Sequence, residues 1–167
     1  MGDRDLLSEH LPMLYRTAWM LTGNEADAQD LAHDAMVAAL ASLGRFRSEA
    51  RMTTWLTAIL LNRHRNARRA AAVRTAARAE VAARAAGEAP EPGAGISAAE
   101  EQAALGRALE RLTEDERTLV ALSINQGLDS TEIGGLLGRP PGTVRYQLHT
   151  AREKLRGLLM EDRPHDA

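Results

Sequence analysis

Val144, Leu148, Ala151, Leu155 and Leu158 advance by four, three, four and three residues. A strand would scatter those positions over both of its faces, whereas an α-helix gathers them into one apolar stripe. The same rhythm recurs at Leu7, Leu11, Leu14, Ala18 and Leu21 near the start of the chain. The apolar residues in between are mostly Leu, Ala, Ile, Val and Met, and aromatic residues make up only 3% of the sequence. Straight-chain and small residues of this kind favour helices and supply few strand-formers. An all-α protein is therefore expected.

Helix-boundary chemistry divides the stripes. Pro12 suits the start of a helix or a kink in it, and Gly23 suits its end. Asn24 then caps a second helix, with Asp27 in its first turn. Leu31, Ala35, Ala38, Met36, Leu40 and Leu43 give that helix a buried side, and Gly44 closes it. Residues 45–52 (RFRSEARM) read as a charged loop. A third helix from Thr53 or Thr54 buries Trp55, Leu56, Ile59 and Leu60 and runs on into NRHRNARR.

Residues 70–98 are first Ala/Arg-rich and then Gly/Pro/Glu-rich (GEAPEPGAG, 87–95), with almost nothing large to pack, so a linker falls here. Beyond it, Ser97 with Glu100, Thr113 with Glu116, and Asp129 with Glu132 each have the spacing of a capping box. Gly127 ends the second of these helices, and Gly138 to Gly142 forms a tight connection into the last. Two small helical domains follow: residues 1–69, a three-helix bundle, and residues 99–162, four short helices. The linker 70–98 joins them, and 163–167 form a tail.

The net charge of −2 conceals an uneven distribution. Residues 1–44 carry a balance of −5, residues 45–87 a balance of +8 from ten arginines and two glutamates, and residues 88–167 a balance of −5. A concentrated basic block is the electrostatic footprint of phosphate contact, although a solvated Arg/Ala-rich helix has the same composition. There is no cysteine, which excludes disulfides and cysteine-held zinc. No apolar run of 18 residues occurs, so a soluble intracellular protein without membrane insertion is expected.

The segment 129–159 has the grammar of a helix-turn-helix: a short capped helix, a glycine-containing turn, and a longer helix that is apolar on one side only. At 100° per residue, Tyr146, His149 and Thr150 project opposite the stripe, with Arg145 and Arg152 on one flank and Thr143 and Gln147 on the other. These seven are the candidates for reading base edges in a major groove, and the two arginines suit phosphate equally well. An ordinary helical hairpin facing water would show the same pattern.

LTEDERTLVALSINQGLDSTEIGGLLGRPPGTVRYQLHTAREKLRGLL (112–159) resembles the promoter minus-thirty-five-binding domain of extracytoplasmic-function (ECF) sigma factors, within the sigma-70 family. LYRTAWMLTGNEADAQDLAHDAMVAAL (14–40) and RFRSEARMTTWLTAILLNRHRNARR (45–69) resemble the preceding domain of the same family, and the two halves stand in the family order. The resemblance implies a sigma factor that binds core RNA polymerase and promoter DNA, directs initiation, and catalyses no reaction itself.

Residue by residue, it implies that Asp27, Asp30, Leu31, Asp34 and Met36 dock on polymerase. The three carboxylates, at i, i+3 and i+7, form a stripe that could otherwise be a merely solvated face. Arg45, Arg47, Ser48 and Arg51 match the loop that captures a flipped minus-ten base, a pocket that reads an unstacked pairing edge. Asn62, Arg63, Arg65, Arg68 and Arg69 match the helix that tracks the non-template strand. Trp55 is a stacking platform or, given its place beside Leu56 and Ile59, a core residue.

An anti-sigma factor is an implied partner, one that could hold this otherwise cytoplasmic protein near the membrane. No cofactor or metal is expected, and the free chain is expected to be monomeric. The sequence departs from the family pattern at Tyr146-Gln147, where Ser-Arg is common, at Thr150, where Arg is common, and at Ala35, beside Met36, where a bulky aromatic is usual. Fewer basic groups weaken sequence-independent affinity.

Three other readings compete. A helix-turn-helix regulator acting without polymerase has the same C-terminal motif. A metal-dependent hydrolase would have to use His33, Asp34, His64 or His149, which form no ligand motif. A helical adaptor would leave the arginine block unexplained.

Overall fold

A computed structural model describes residues 7–46, 51–79 and 98–161. Among these the structure is helical and contains no strand. The first unit holds α1 (Leu11–Thr22), α2 (Glu25–Ser42), a single 3₁₀ turn (Leu43–Arg45) and α3 (Met52–Ala79). The second holds α4 (Ala98–Glu110), α5 (Glu114–Val120), a π turn (Ala121–Asn125), α6 (Ser130–Leu137) and α7 (Pro141–Glu161).

Each boundary follows from local chemistry. Pro12 sits in the first turn of α1, where its missing N–H costs nothing, and Gly23 ends the helix at φ 78° with its N–H on Trp19 O. Asn24 caps α2, its Oδ1 accepting from Asp27 N at 2.9 Å. α5 and α6 both open with complete capping boxes, Thr113 with Glu116 and Asp129 with Glu132. The expected box of Ser97 lies outside the described residues. Gly138 ends α6 at φ 65°.

The α7 stripe is buried at all five positions, Val144, Leu148, Ala151, Leu155 and Leu158. Leu14, Ala18, Leu21, Leu56 and Leu60 form the centre of the first unit, and Leu109, Leu119, Leu122 and Ile133 complete that of the second. The two sets merge into one continuous apolar cluster.

Several expectations need correction. Leu11 belongs to the periodic stripe but is 44% exposed, while Leu7 before it and Leu14 after it are buried. Leu40 is 40% exposed; Leu31 and Ala35 are buried as expected, and Ala28, Ala32 and Ala39 join them, small residues that let α1 and α3 approach closely. The α2 helix stops at Ser42 rather than Gly44 and unwinds through the 3₁₀ turn. The α3 helix starts at Met52 and continues to Ala79, well into the segment whose composition marks it as a linker. The α5 helix does not run straight to Gly127: it widens into the π turn, which faces Ser123 and Asn125 differently from a regular helix.

Candidate nucleic-acid interface

The recognition-type hairpin depends on one close approach. Gly134, buried within α6, has the Arg139 carbonyl so near that a Cβ there would stand 2.6 Å from its oxygen. Arg139 N donates to Gly134 O at 2.9 Å, and the chain turns through Gly138 into α7. The angle between α6 and α7 is thus set by a backbone contact that no side chain could share.

On α7, Arg145, Tyr146, His149 and Thr150 form a continuous exposed surface, with Tyr146 73% exposed. Thr150 Oγ1 donates to Tyr146 O at 3.1 Å, so its hydroxyl proton is engaged within its own helix. Thr143 is exposed at the N-terminal end of the same helix. Gln147 and Arg152 are held differently. Gln147 is half-buried, its Oε1 accepting from Arg139 Nη1 at 3.3 Å, while Arg139 Nη2 donates to Asp115 at 2.8 Å. Arg152 donates to Ser123 Oγ.

A cleft of about 340 Å³ runs along one side of α7, where Arg145, His149 and Arg152 face Ser130 and Asp129. A second, of about 250 Å³, lies on the other side, where Tyr146 and Thr150 face Thr113 and Glu116. Partial burial pushes the Glu116 carboxyl upward, but Lys154 at 2.8 Å and the Thr113 donors outweigh it and hold the group below the usual carboxylate range. The rim of that cleft is therefore anionic and already paired.

On α3 the exposed residues sort by angle. Asn62, Arg65 and Arg69, at i, i+3 and i+7, share the face turned away from Leu56, Leu60 and His64, while Arg63, about 100° on from Asn62 and seven residues after Leu56, is exposed at the edge of the buried side. Asn66, about 40° round from Asn62, brings a second exposed amide beside that face; the family resemblance did not single it out. Arg68 sits nearer the buried side, 3.3 Å from Glu114. Arg45 is exposed in the 3₁₀ turn. Arg47 and Ser48 lie outside the described residues. Arg51 is exposed and lies 3.8 Å from Glu132 of α6. Trp55 is half-buried against the core and meets the Phe46 ring at 5.1 Å and 49°, an aromatic pair that ties the end of the 3₁₀ turn to α3.

On α2, Asp27, Asp30 and Asp34 are all exposed along one face. Asp27 is partly engaged, accepting from Asn24 Nδ2 at 2.8 Å. Leu31, grouped with this stripe by the sequence, is buried in the core, and Met36 is half-buried. Val37, 51% exposed, continues the carboxylate face; its apolar character was visible in the sequence, but its outward aspect was not.

Among the described residues no helix is long and apolar enough to cross a membrane, and no three His, Asp or Glu side chains cluster as a metal site.

Comparison with known proteins gives a consistent result. The family described as Sigma-70 region 2 matches residues 6–74, and Sigma-70, region 4 matches residues 102–155. The RNA polymerase sigma factor CarQ of Myxococcus xanthus is 34% identical over 94% of this chain and 88% of its own length. The ECF RNA polymerase sigma factor SigM of Mycobacterium tuberculosis is 34% identical over 95% of this chain and 79% of its own. SigE of Mycolicibacterium smegmatis is 32% identical, and the match spans 60% of that longer protein. Among solved structures, the sigma factor RpoE in complex with the anti-sigma factor NepR, from Bartonella quintana, superposes with a TM-score of 0.76 at 24% identity, covering 96% of this chain and 99% of that one. CnrH in complex with the cytosolic domain of CnrY superposes with a TM-score of 0.67 at 26% identity, covering 95% of this chain and 88% of that one.

Proposed function

Because this chain belongs to the ECF group of the sigma-70 family of RNA polymerase sigma factors, we propose that it directs promoter-specific initiation by two separate grips on one promoter. Sigma factors are initiation factors and not enzymes, so the chemistry to be explained is recognition.

The observation that carries the proposal is the pairing of two different exposed faces, one on each helical unit. The α3 face of Asn62, Arg65 and Arg69 combines an amide able to pair with a base edge and cations able to hold phosphates, as single-stranded DNA requires. The α7 face of Arg145, Tyr146, His149 and Thr150 stands clear of its neighbours on a helix positioned by Gly134, as major-groove reading requires. Residues 1–69 are assigned core docking and the downstream element, residues 99–162 the upstream element, and 70–98 the connection. Asp30, Asp34 and Asp27 on α2, with Val37 beside them, offer an acidic and partly apolar surface to a basic partner on polymerase. Neither grip need be tight alone, since a common anchor on polymerase raises the effective concentration of each for its element.

An anti-sigma factor is the proposed regulator, by analogy with the family, and a cytoplasmic monomer the proposed free state. The reading is tested by co-purification of the chain with core RNA polymerase. Stable association is expected; DNA binding with no core association would instead favour a free-standing helix-turn-helix regulator.

A further inference from the structure

Arg139, in the turn between α6 and α7, divides its guanidinium between two elements. Nη2 donates to Asp115 Oδ2, in the first turn of α5, at 2.8 Å, and Nη1 donates to Gln147 Oε1, on α7, at 3.3 Å. The backbone that carries this fork is fixed from both sides. Its N–H is bonded to Gly134 O at 2.9 Å, and Pro140, next in the chain, disfavours a helical Arg139. The side chain is only 27% exposed, so the fold aims it.

Gln147 stands in the second turn of α7 and lines the 250 Å³ cleft together with Tyr146 and Thr150. The N-terminal turns of such a helix are the part that enters a major groove. A glutamine free in water offers an acceptor and a donor side by side, and so pairs bidentately with adenine. Arg139 removes that choice. A guanidinium has donors and no acceptor, so the group turned toward it has to be the carboxamide oxygen, and the NH₂ is what remains to be presented. Asp115 meanwhile neutralises Arg139 at close range, which takes the guanidinium out of competition for phosphate.

We infer that Arg139 is a positioning residue for sequence reading, one that locks Gln147 as a hydrogen-bond donor toward DNA. A donor selects a keto base, guanine through O6 or thymine through O4, at one step of the upstream element. It rejects adenine and cytosine there, because their exocyclic amino groups are themselves donors. The inference rests on the two-grip reading above; it adds Gln147 to the α7 reading face and states that residue's chemical preference.

Core RNA polymerase carrying the chain, given a promoter library randomised across the upstream element, reports the preference as transcript counts for each base. The parent should favour keto over amino bases at one step by about tenfold, the size of a single base-edge contact. Gln147→Glu keeps an oxygen for Arg139 and replaces the presented NH₂ by an acceptor, so the preference at that same step should reverse toward adenine or cytosine. Arg139→Met keeps the length of the side chain and removes its donors. It should lower the keto preference to about threefold or less and admit adenine, with the other steps unchanged. Arg139→Lys, which again offers only donors, should recover part of the preference.

A brace with a purely structural role would instead lower initiation from every upstream sequence alike, and that result in Arg139→Met would overturn the assignment. So would an unchanged preference in Gln147→Glu, which decides the matter if Arg139→Met does not melt cooperatively. An upstream signature that all three variants leave intact refutes the roles of Arg139 and Gln147 and leaves the two-grip reading standing. A parent with no upstream signature at all sinks both.

Discussion

Arg68 Nη2 lies 3.3 Å from Glu114 Oε2, an ion pair that joins the basic helix of the first unit to the first turn of α5 in the second. Two further titratable groups lie close to the pair. Burial holds the Arg117 guanidinium below its usual range, with Arg68 adding to the effect, and Arg117 Nε has no hydrogen-bond partner. His64, buried next to the pair, is likewise held below the ordinary histidine range, mainly by burial; Glu114 opposes the shift, and Arg68, Arg117 and Arg65 reinforce it.

A pH dependence follows. The folded chain resists a proton that the unfolded chain takes up below about pH 6.5. The stabilisation from a neutral His64 is therefore complete above that pH and declines as the pH falls through it toward the depressed folded value. Thermal melts between pH 7.5 and 5 should show stability falling on the acid side, and His64→Gln should flatten that slope. An identical slope in the variant would remove His64 as its source.

Gly134→Ala should destabilise the second unit by about 1–3 kcal/mol, because the added Cβ meets a backbone carbonyl and not a movable side chain. Gly135→Ala next to it meets nothing within 4 Å and should instead gain up to about 1 kcal/mol in helix propensity. Chemical denaturation of the two variants checks the contrast, and equal effects would mean the α6–α7 approach is looser than the structure has it.

Asp30→Arg with Asp34→Arg reverses the charge of the exposed α2 face without touching the core. Affinity for core polymerase should fall at least tenfold while the melting transition is kept. Core affinity within twofold of the parent would move the docking surface elsewhere.

Tyr146→Ala or His149→Ala should change which upstream sequences are selected from a randomised duplex, with little loss on arbitrary DNA, since base contacts specify and phosphate contacts position. An unchanged selection from both variants would displace the reading face from this side of α7.

The helices were legible in the sequence wherever stripe and cap agreed. Val144 through Leu158 carry both the right period and a one-sided pattern, and Thr113, Asp129, Asn24 and Gly23 mark ends by local chemistry alone. Leu11 and Leu40 misled because periodicity cannot tell which turns of a helix have a neighbour to pack on. The small-residue face of α2 was hidden for the complementary reason: Ala32 and Ala39 are unremarkable until two helices lie against them. Gly134 was equally opaque, since its need comes from a carbonyl five residues away, on a chain that has already turned.

The candidate reading residues were legible as types on a face, but not their engagements. Gln147 held by Arg139, Arg152 on Ser123 and Arg68 on Glu114 are tertiary facts. The Asn125–Thr17 contact, across 108 residues of chain, has no local signature at all.

Transcription by core RNA polymerase on a library of promoters, with the purified chain added free of any inhibitor, tests the central claim most directly. Discrete transcripts should appear, starting downstream of a two-part sequence signature. Asn62→Ala should lower strand opening more than tenfold while core affinity stays as in the parent. Failure of the parent chain to produce any specific transcript would contradict the account, and equal loss of opening and core binding in Asn62→Ala would contradict the role given to α3.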